Sequence, residues 1–317
     1  MINLTLKHLR YFEALARHGH FGRAAEACCI SQPALSVQMK ELEAMLGAPL
    51  IERGARQVRL SHLGEELVPR AREILRAVGE IEDLARACQG TLTGRLRIGL
   101  IPTVAPYFLP GLIKLLTAAY PELDIRPREA VTQTLIRDLI DGQLDVAIVA
   151  LPVSENGVHE EPLFDEEFVL VRPVADADKP VPGPETLREM RLLLLEEGHC
   201  FRDQALSFCH AASLPPRDLM EGSSQSTLVQ MVGAGIGVTL IPDMAVAIEA
   251  TSAPVAIARL PAPRPARRIG MVWRRSTPLA EQLGQIAECI RQMRANGAGS
   301  TPPSASGQQE LQGQDQA

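Results

Sequence analysis

The sequence predicts an α/β protein with an all-α, winged N-terminal domain: a winged helix-turn-helix, a long linker helix, and a two-lobed α/β body. Three observations carry this. Apolar residues recur at helical spacing through the first forty-odd residues, then switch to strand period around a glycine turn. A helical stripe then runs from Ser61 to about Leu92 with no turn cluster inside it. Beyond it, short apolar strands alternate with helical segments for about two hundred residues, the pattern of a doubly wound α/β body long enough for two lobes and a cleft. At 317 residues and 46% hydrophobic, the chain can build two or three packed cores.

Leu6, Leu9, Phe12 and Leu15 give a first helix near 5–18, and Phe21, Ala24, Ala25 and Cys28 a short second one. Ser31 fits as the N-cap of a third, with Pro33 tolerated in its first turn and Leu35, Met39, Leu42, Met45 and Leu46 on its buried face. Ser36, Gln38 and Lys40 fall largely outside that stripe, close to the Gln32 end. Such a helix suits major-groove reading: Gln pairs with an adenine edge in two places, Ser serves base or phosphate, and Lys meets phosphate. Three short helices alone favour an ordinary polar-surfaced bundle. The next segment argues otherwise. Pro49–Arg53 and Arg56–Leu60 read as two short strands around Gly54, and Arg53, Arg56 and Arg59 make that hairpin a wing for phosphate or minor-groove contact.

Charge agrees. Up to His62 there are eight Lys/Arg against five Asp/Glu, a net +3, so the rest of the chain carries −9 of the overall −6. A small basic head on an acidic body suits duplex DNA as partner. Aromatics at 3% argue against a single-strand binder built on stacking platforms. Residues 1–18 do not read as a signal peptide, and the best apolar run, 245–263, is broken by Glu249, Pro254 and Arg259, so the expectation is a soluble, cytoplasmic protein without membrane contact.

In the linker, Leu63, Leu67, Ile74, Val78, Ile81 and Leu84 form an apolar edge with no body of its own to pack on, which calls for a second copy of the chain. Residues 90–94 mark the domain boundary. Strands follow at Leu96–Ile101, Leu123–Glu129, Leu144–Leu151, Phe168–Arg172, Leu192–Leu195, Gly237–Ile241 and Ile269–Trp273. Helices are expected at 105–118, 132–141, near 201–211, near 225–234 and at the end. The domains are then 1–62, 63–92 and 93–295, with 296–317, rich in Gly, Ser, Pro and Gln, reading as a disordered tail. The glycines of 233–237 follow a helix and lead into a strand, the reverse of a dinucleotide loop. With no Walker loop, HExxH or GxSxG, the expectation is no cofactor, no metal and no enzyme activity.

One cluster bears chemistry. His199, Cys200, Arg202 and Asp203 directly follow the strand Leu192–Leu195, and Cys209 lies nine residues after Cys200. A helix N-terminus and a guanidinium beside Cys200 both favour thiolate, the reactive form. Buried structural cysteines, a metal site using His199, Cys200, Cys209 and His210 (whose spacing fits no usual zinc pattern), and a peroxide-reactive thiol with a resolving partner are the three readings the residues allow.

SQPALSVQMKELEAMLGAPLIER, with AEACCI before it, resembles the DNA-binding segment of LysR-type bacterial regulators. The resemblance implies that Gln32, Pro33 and Ser36 sit at the groove and Arg53 on the wing; Val37 stands where some relatives carry a basic base-reading residue. It also implies dimerisation through the linker helix, a body arranged like periplasmic solute-binding proteins, assembly to a homotetramer, and RNA polymerase as a partner. GHCFRDQALSFC, IPTVAPYFLP and PLFDEEFVLV are further similar to the OxyR-like hydrogen-peroxide sensors within this type. That implies Cys200 as peroxidatic thiol, Cys209 as resolving thiol, a reversible disulfide between them, and control of oxidative-stress genes. Thr103, Thr132 and His199 would hold the peroxide, with Arg202 and Asp203 orienting the pocket. Cys28, Cys29, Cys88 and Cys289 fall outside the matching segment. A LysR-type regulator with a small metabolite in its interlobe cleft is the alternative, and a thiol peroxidase that turns over without DNA is the rival of another class.

Overall fold

The computed structural model describes residues 3–52, 58–88, 92–208 and 219–297. The head contains α1 (Leu6–His18), α2 (Phe21–Ala27) and α3 (Gln32–Leu46). Each helix begins where a side chain supplies an acceptor to an orphan amide: Thr5, His20 and Ser31 in turn. Leu9, Phe12, Leu15, Leu35, Met39 and Leu42 close one small core among the three. At the wing, Ile51 bridges Leu60 antiparallel and the Glu52 amide donates to the Arg59 carbonyl at 2.9 Å, a single bridge where two short strands are expected. Arg53 and Arg56 lie outside the described residues.

The linker helix α4 (His62–Ala87) is capped by Ser61. The expectation that its apolar edge has no body to pack on needs correcting. Leu67, Val68, Ala71 and Leu75 pack into the core of the head, so that core extends past the boundary drawn at residue 62. Gly64 is what permits this docking, because a Cβ there would sit 2.3 Å from the Leu50 carbonyl oxygen. Leu63, Ile74, Ile81 and Leu84 remain 36–67% exposed. Polar ties fix α4 to the body. Arg72 reaches Glu13 of α1 at 3.3 Å and Asp141 of the body at 3.1 Å, and Ser276 and Gln282 donate to Glu80 and to the Ala87 carbonyl.

The first lobe is built from β1 (Gly94–Leu100), α5 (Ala105–Ala119), β2 (Leu123–Glu129), α6 (Thr132–Ile140) and β3 (Val146–Leu151). A long strand, β4 (Val158–Pro173), leads into the second lobe. There follow α7 (Pro184–Glu189), β5 (Leu192–Leu195), α8 (Cys200–Phe208), β6 (Leu219–Gly222), α9 (Gln225–Gly233), β7 (Val238–Pro242), α10 (Val246–Glu249) and β8 (Val255–Arg259). The chain returns through β9 (Ala266–Arg274) and ends on α11 (Ala280–Gly297), which buries Leu283, Ile286 and Ile290 against the first lobe. α11 runs to Gly297, past residue 296 where the tail is expected to begin, and 298–317 lie outside the described residues.

The strand order is β2-β1-β3-β9-β4-β7-β5-β6, with β8 pairing to β4. β1 pairs parallel with β2 and β3, and β5 parallel with β6 and β7, so each lobe is wound in parallel as alternation requires. β4 and β9 run antiparallel to each other and join the lobes. The first half of β4 pairs with β9 and its second half with β7 and β8. One buried core surrounds Leu96, Ile98, Leu100 and Ile148; the other surrounds Phe168, Leu170, Leu193 and Leu240. The two lobes also meet where Tyr107 of α5 donates to the buried Glu249 carboxylate of α10 at 2.7 Å. Burial, and then that carboxylate, push the Tyr107 phenol pKa up. The glycines of 233–237 make the turn from α9 to β7, where a Cβ on Gly237 would lie 2.5 Å from the Arg191 carbonyl oxygen.

Candidate functional site

Two surfaces carry the chemistry-bearing residues. The first is the exposed face of α3. Ser31 caps the helix, accepting from the Ala34 amide at 3.3 Å and keeping its own proton to donate outward. Gln32, Pro33 and Lys40 are exposed and Ser36 is half-buried; Pro33 and Lys40 lie on the side away from Leu35, Met39 and Leu42, Ser36 on its flank, and Gln32 is exposed because it stands at the open N-terminal end of the helix. Gln38 is half-buried. Its amide nitrogen donates one of its two N–H groups to Glu41 at 2.6 Å, which ties the side chain down and leaves the other N–H for a base edge.

The second surface is the seam between the lobes at the start of α8. Cys200 is the first residue of that helix and a free thiol, half-buried and packed against the core of the first lobe. It lines a cavity of about 10 Å³ together with Ile101, Pro102, Thr103, Val131, Thr132, His199 and Phe201. A single water needs about 10–15 Å³ on this measure, so the cavity is the size of one water-sized group. Thr132 Oγ1 is buried in the cavity wall and has no hydrogen-bond partner. Burial lowers the His199 pKa, with the opposing charges of Glu196 and Glu129 too weak to restore it, so its imidazole is neutral at pH 7.

Thr103 is 2% exposed and its hydroxyl polarity is set from behind. Arg267 NH1 donates to Thr103 Oγ1 at 2.7 Å, and NH2 to the Thr103 carbonyl at 3.1 Å. A guanidinium only donates, so Thr103 Oγ1 accepts and its own proton is left for another acceptor. Arg267 is held in turn by Glu166, with Nε 2.9 Å from Oε2, both side chains being essentially buried. Desolvation raises the Glu166 pKa and the Arg267 charge opposes that rise. The guanidinium also lies over the Phe201 ring, 5.2 Å from its centroid.

Sequence reasoning missed Arg267 and Glu166. They sit on β9 and β4, far apart in the chain, and only the pairing Glu166–Arg267 in strand register could have linked them. It named Arg202 instead. Arg202 donates to the Leu195 carbonyl and pairs with Glu221, and it does not line the cavity. Asp203 is exposed and lines a larger cleft of about 550 Å³ with Cys200, Gln204, Thr132 and Arg137. Cys209 and His210 lie outside the described residues. Among the described residues no cluster could hold a metal, and no helix is long and apolar enough to cross a membrane.

The chain matches the model of bacterial regulatory helix-turn-helix proteins of the lysR family over residues 6–65 and that of the LysR substrate binding domain over 89–295. It is 44% identical to a probable hydrogen peroxide-inducible genes activator of Streptomyces viridosporus, across 91% of this chain and 94% of that one. It is 41% identical to the DNA-binding transcriptional dual regulator OxyR of Escherichia coli K12, across 91% and 95%. Among solved structures it resembles a full-length OxyR variant of Pseudomonas aeruginosa (TM-score 0.71, 38% identity, 91% and 95% covered). It also resembles a mutant OxyR of Corynebacterium glutamicum with hydrogen peroxide bound (TM-score 0.64, 37% identity, 93% and 94% covered).

Proposed function

This chain belongs to the LysR family of bacterial DNA-binding regulators, in its OxyR branch, and we propose that it controls oxidative-stress promoters by oxidation of Cys200 with hydrogen peroxide. The observation that carries the reading is the cavity: a free thiol, two threonine hydroxyls and room for one small guest, with a buried guanidinium fixing one hydroxyl as a donor. Peroxide seated between Thr103 and Thr132 presents one oxygen to the sulfur. The Cys200 thiolate attacks it, the O–O bond breaks, and the leaving hydroxide takes a proton to become water while Cys200 becomes a sulfenic acid. Thr103, its own acceptor site filled by Arg267, donates to the departing oxygen.

Cys209 then attacks the sulfenic sulfur, releasing water and forming a disulfide that a cytosolic dithiol reverses. This bond and α8 exclude each other. Along an intact helix Cys200 and Phe208 are separated by about 12 Å. One further Cα step of about 3.8 Å leaves Cys209 at least ~8 Å from Cys200, beyond the ~7 Å a disulfide spans. Oxidation therefore unwinds α8 and draws Phe201 out of the core of the second lobe, giving the alternative packing a switch requires. The exposed edge of α4 pairs with a second chain, and dimers pair again to a homotetramer that presents its heads to promoter DNA and RNA polymerase.

Alkylation and mass spectrometry after one equivalent of peroxide test the reading. Cys200 and Cys209 are expected to be joined in the wild type. Cys209→Ser is expected to stop at sulfenic acid, and Cys200→Ser to stay unmodified. Both thiols free in the wild type would favour the second reading, a small metabolite in the 550 Å³ cleft, which the buried and unpartnered Gln204 Oε1 on its wall supports.

A further inference from the structure

The outer face of α3 carries an apolar side chain that the fold does not use. Val37 is 52% exposed, the most exposed large hydrophobic residue among those described in the head. At 100° per residue it lies about 140–160° around the helix from each of Leu35, Met39 and Leu42, opposite the stripe that faces the core. Its neighbours one turn away on that face, Pro33, Lys40 and Glu41, are exposed as well, so nothing in the head covers it. It sits in the second turn of the helix, just beyond Gln32 and Ser36. The next residue, Gln38, is half-buried and held by one of its amide N–H groups on Glu41. The centre of the reading face is thus a branched hydrocarbon with no hydrogen-bonding capacity.

The major groove offers one apolar feature, the 5-methyl group of thymine. Resting on the reading of the head as a duplex binder, we propose that Val37 is a specificity-determining residue that recognises a thymine methyl, fixing an A·T pair beside the base read by Gln32. A guanine or cytosine edge there would leave polar groups desolvated against the isopropyl group without a partner. The methyl's absence, by contrast, removes only apolar contact. The expected effect is that of one buried methyl, roughly fourfold in Kd for each contacted thymine.

The test uses the full-length chain and a duplex selected by it from a random-sequence pool. Each thymine of the protected region is replaced in turn by deoxyuridine, which lacks only the 5-methyl group, and Kd is measured for wild type, Val37→Ala and Val37→Ile. Wild type is expected to lose roughly fourfold at one thymine position per bound head, Val37→Ile to keep that loss, and Val37→Ala to bind thymine and deoxyuridine equally at that position. Val37 is exposed, so neither variant disturbs the core. Deoxyuridine without effect at every position in the wild type would overturn the proposal. So would an unchanged loss in Val37→Ala, which would assign the effect to DNA shape. A wild-type chain that selects no duplex at all would instead contradict the reading of the head itself.

Discussion

Truncating Phe201 should make the disulfide harder to reduce. In the reduced form Phe201 is 2% exposed, packed edge-on against Phe168 at 4.8 Å between ring centroids and under the Arg267 guanidinium. Removing such a ring from a core costs about 3–5 kcal/mol. If α8 unwinds on oxidation and Phe201 leaves the core, Phe201→Ala takes that amount from the dithiol state alone. For a two-electron couple ~1.4 kcal/mol corresponds to ~30 mV, so the midpoint potential should fall by roughly 60–110 mV. The sign follows from the product: destabilising the reduced protein makes reduction less favourable. Phe201→Leu, which keeps most of the apolar volume, should shift it in the same direction by less. The assay is equilibration of the full-length chain with graded dithiol/disulfide buffers, followed by alkylation of the remaining thiols. A potential within about 10 mV of wild type would mean that Phe201 packs alike in both states, and the helix-unwinding account would fail.

Three further outcomes follow from the same contacts. Arg267→Met leaves the Glu166 carboxylate buried and unpaired, so urea unfolding should show a loss of about 3–5 kcal/mol, with Arg267→Met/Glu166→Gln recovering most of it; equal losses in both variants would contradict the pairing. Ile81→Glu with Leu84→Glu, both on the exposed edge of α4, should split the assembly at that seam without unfolding the head, and sedimentation at unchanged mass would remove the seam. The His199 imidazole should titrate below the ordinary ~6.5 in the folded chain and near it in urea. Its neutral form therefore contributes stability present above pH ~6.5 and lost as pH falls through the folded value. A folded midpoint at or above ~6.5 by NMR would reverse that sign.

The head and the first lobe were legible because their signals are local. Thr5, Ser31, Gly19 and Gly47 punctuate helices whose apolar period is unbroken, β1 alternates apolar with other residues through Leu96, Ile98 and Leu100, and β3, like β5 of the second lobe, is a continuous apolar run. The first half of β4 was not legible. Its charged residues look like a loop until Glu161 meets Arg291 and Glu166 meets Arg267 across the fold. The thiol pocket divided the same way. Cys200, Thr103 and Thr132 come together as the motifs imply, whereas Arg202, adjacent in sequence, turns to Glu221. The guanidinium that holds a pocket residue, Arg267 behind Thr103, comes from β9, because strand pairing sets it there. The linker edge was read too uniformly for a related reason: period marks a face as apolar without saying that the head covers Leu67 while Ile74, Ile81 and Leu84 stay exposed.

The most direct test of the central claim is a footprint of the full-length chain on its selected duplex, reduced and after one equivalent of hydrogen peroxide, with Cys200→Ser alongside. The account predicts that oxidation moves or extends the wild-type footprint and leaves that of Cys200→Ser unchanged. An identical footprint in both redox states of the wild type, with Cys200 shown by mass spectrometry to be oxidised, would contradict it.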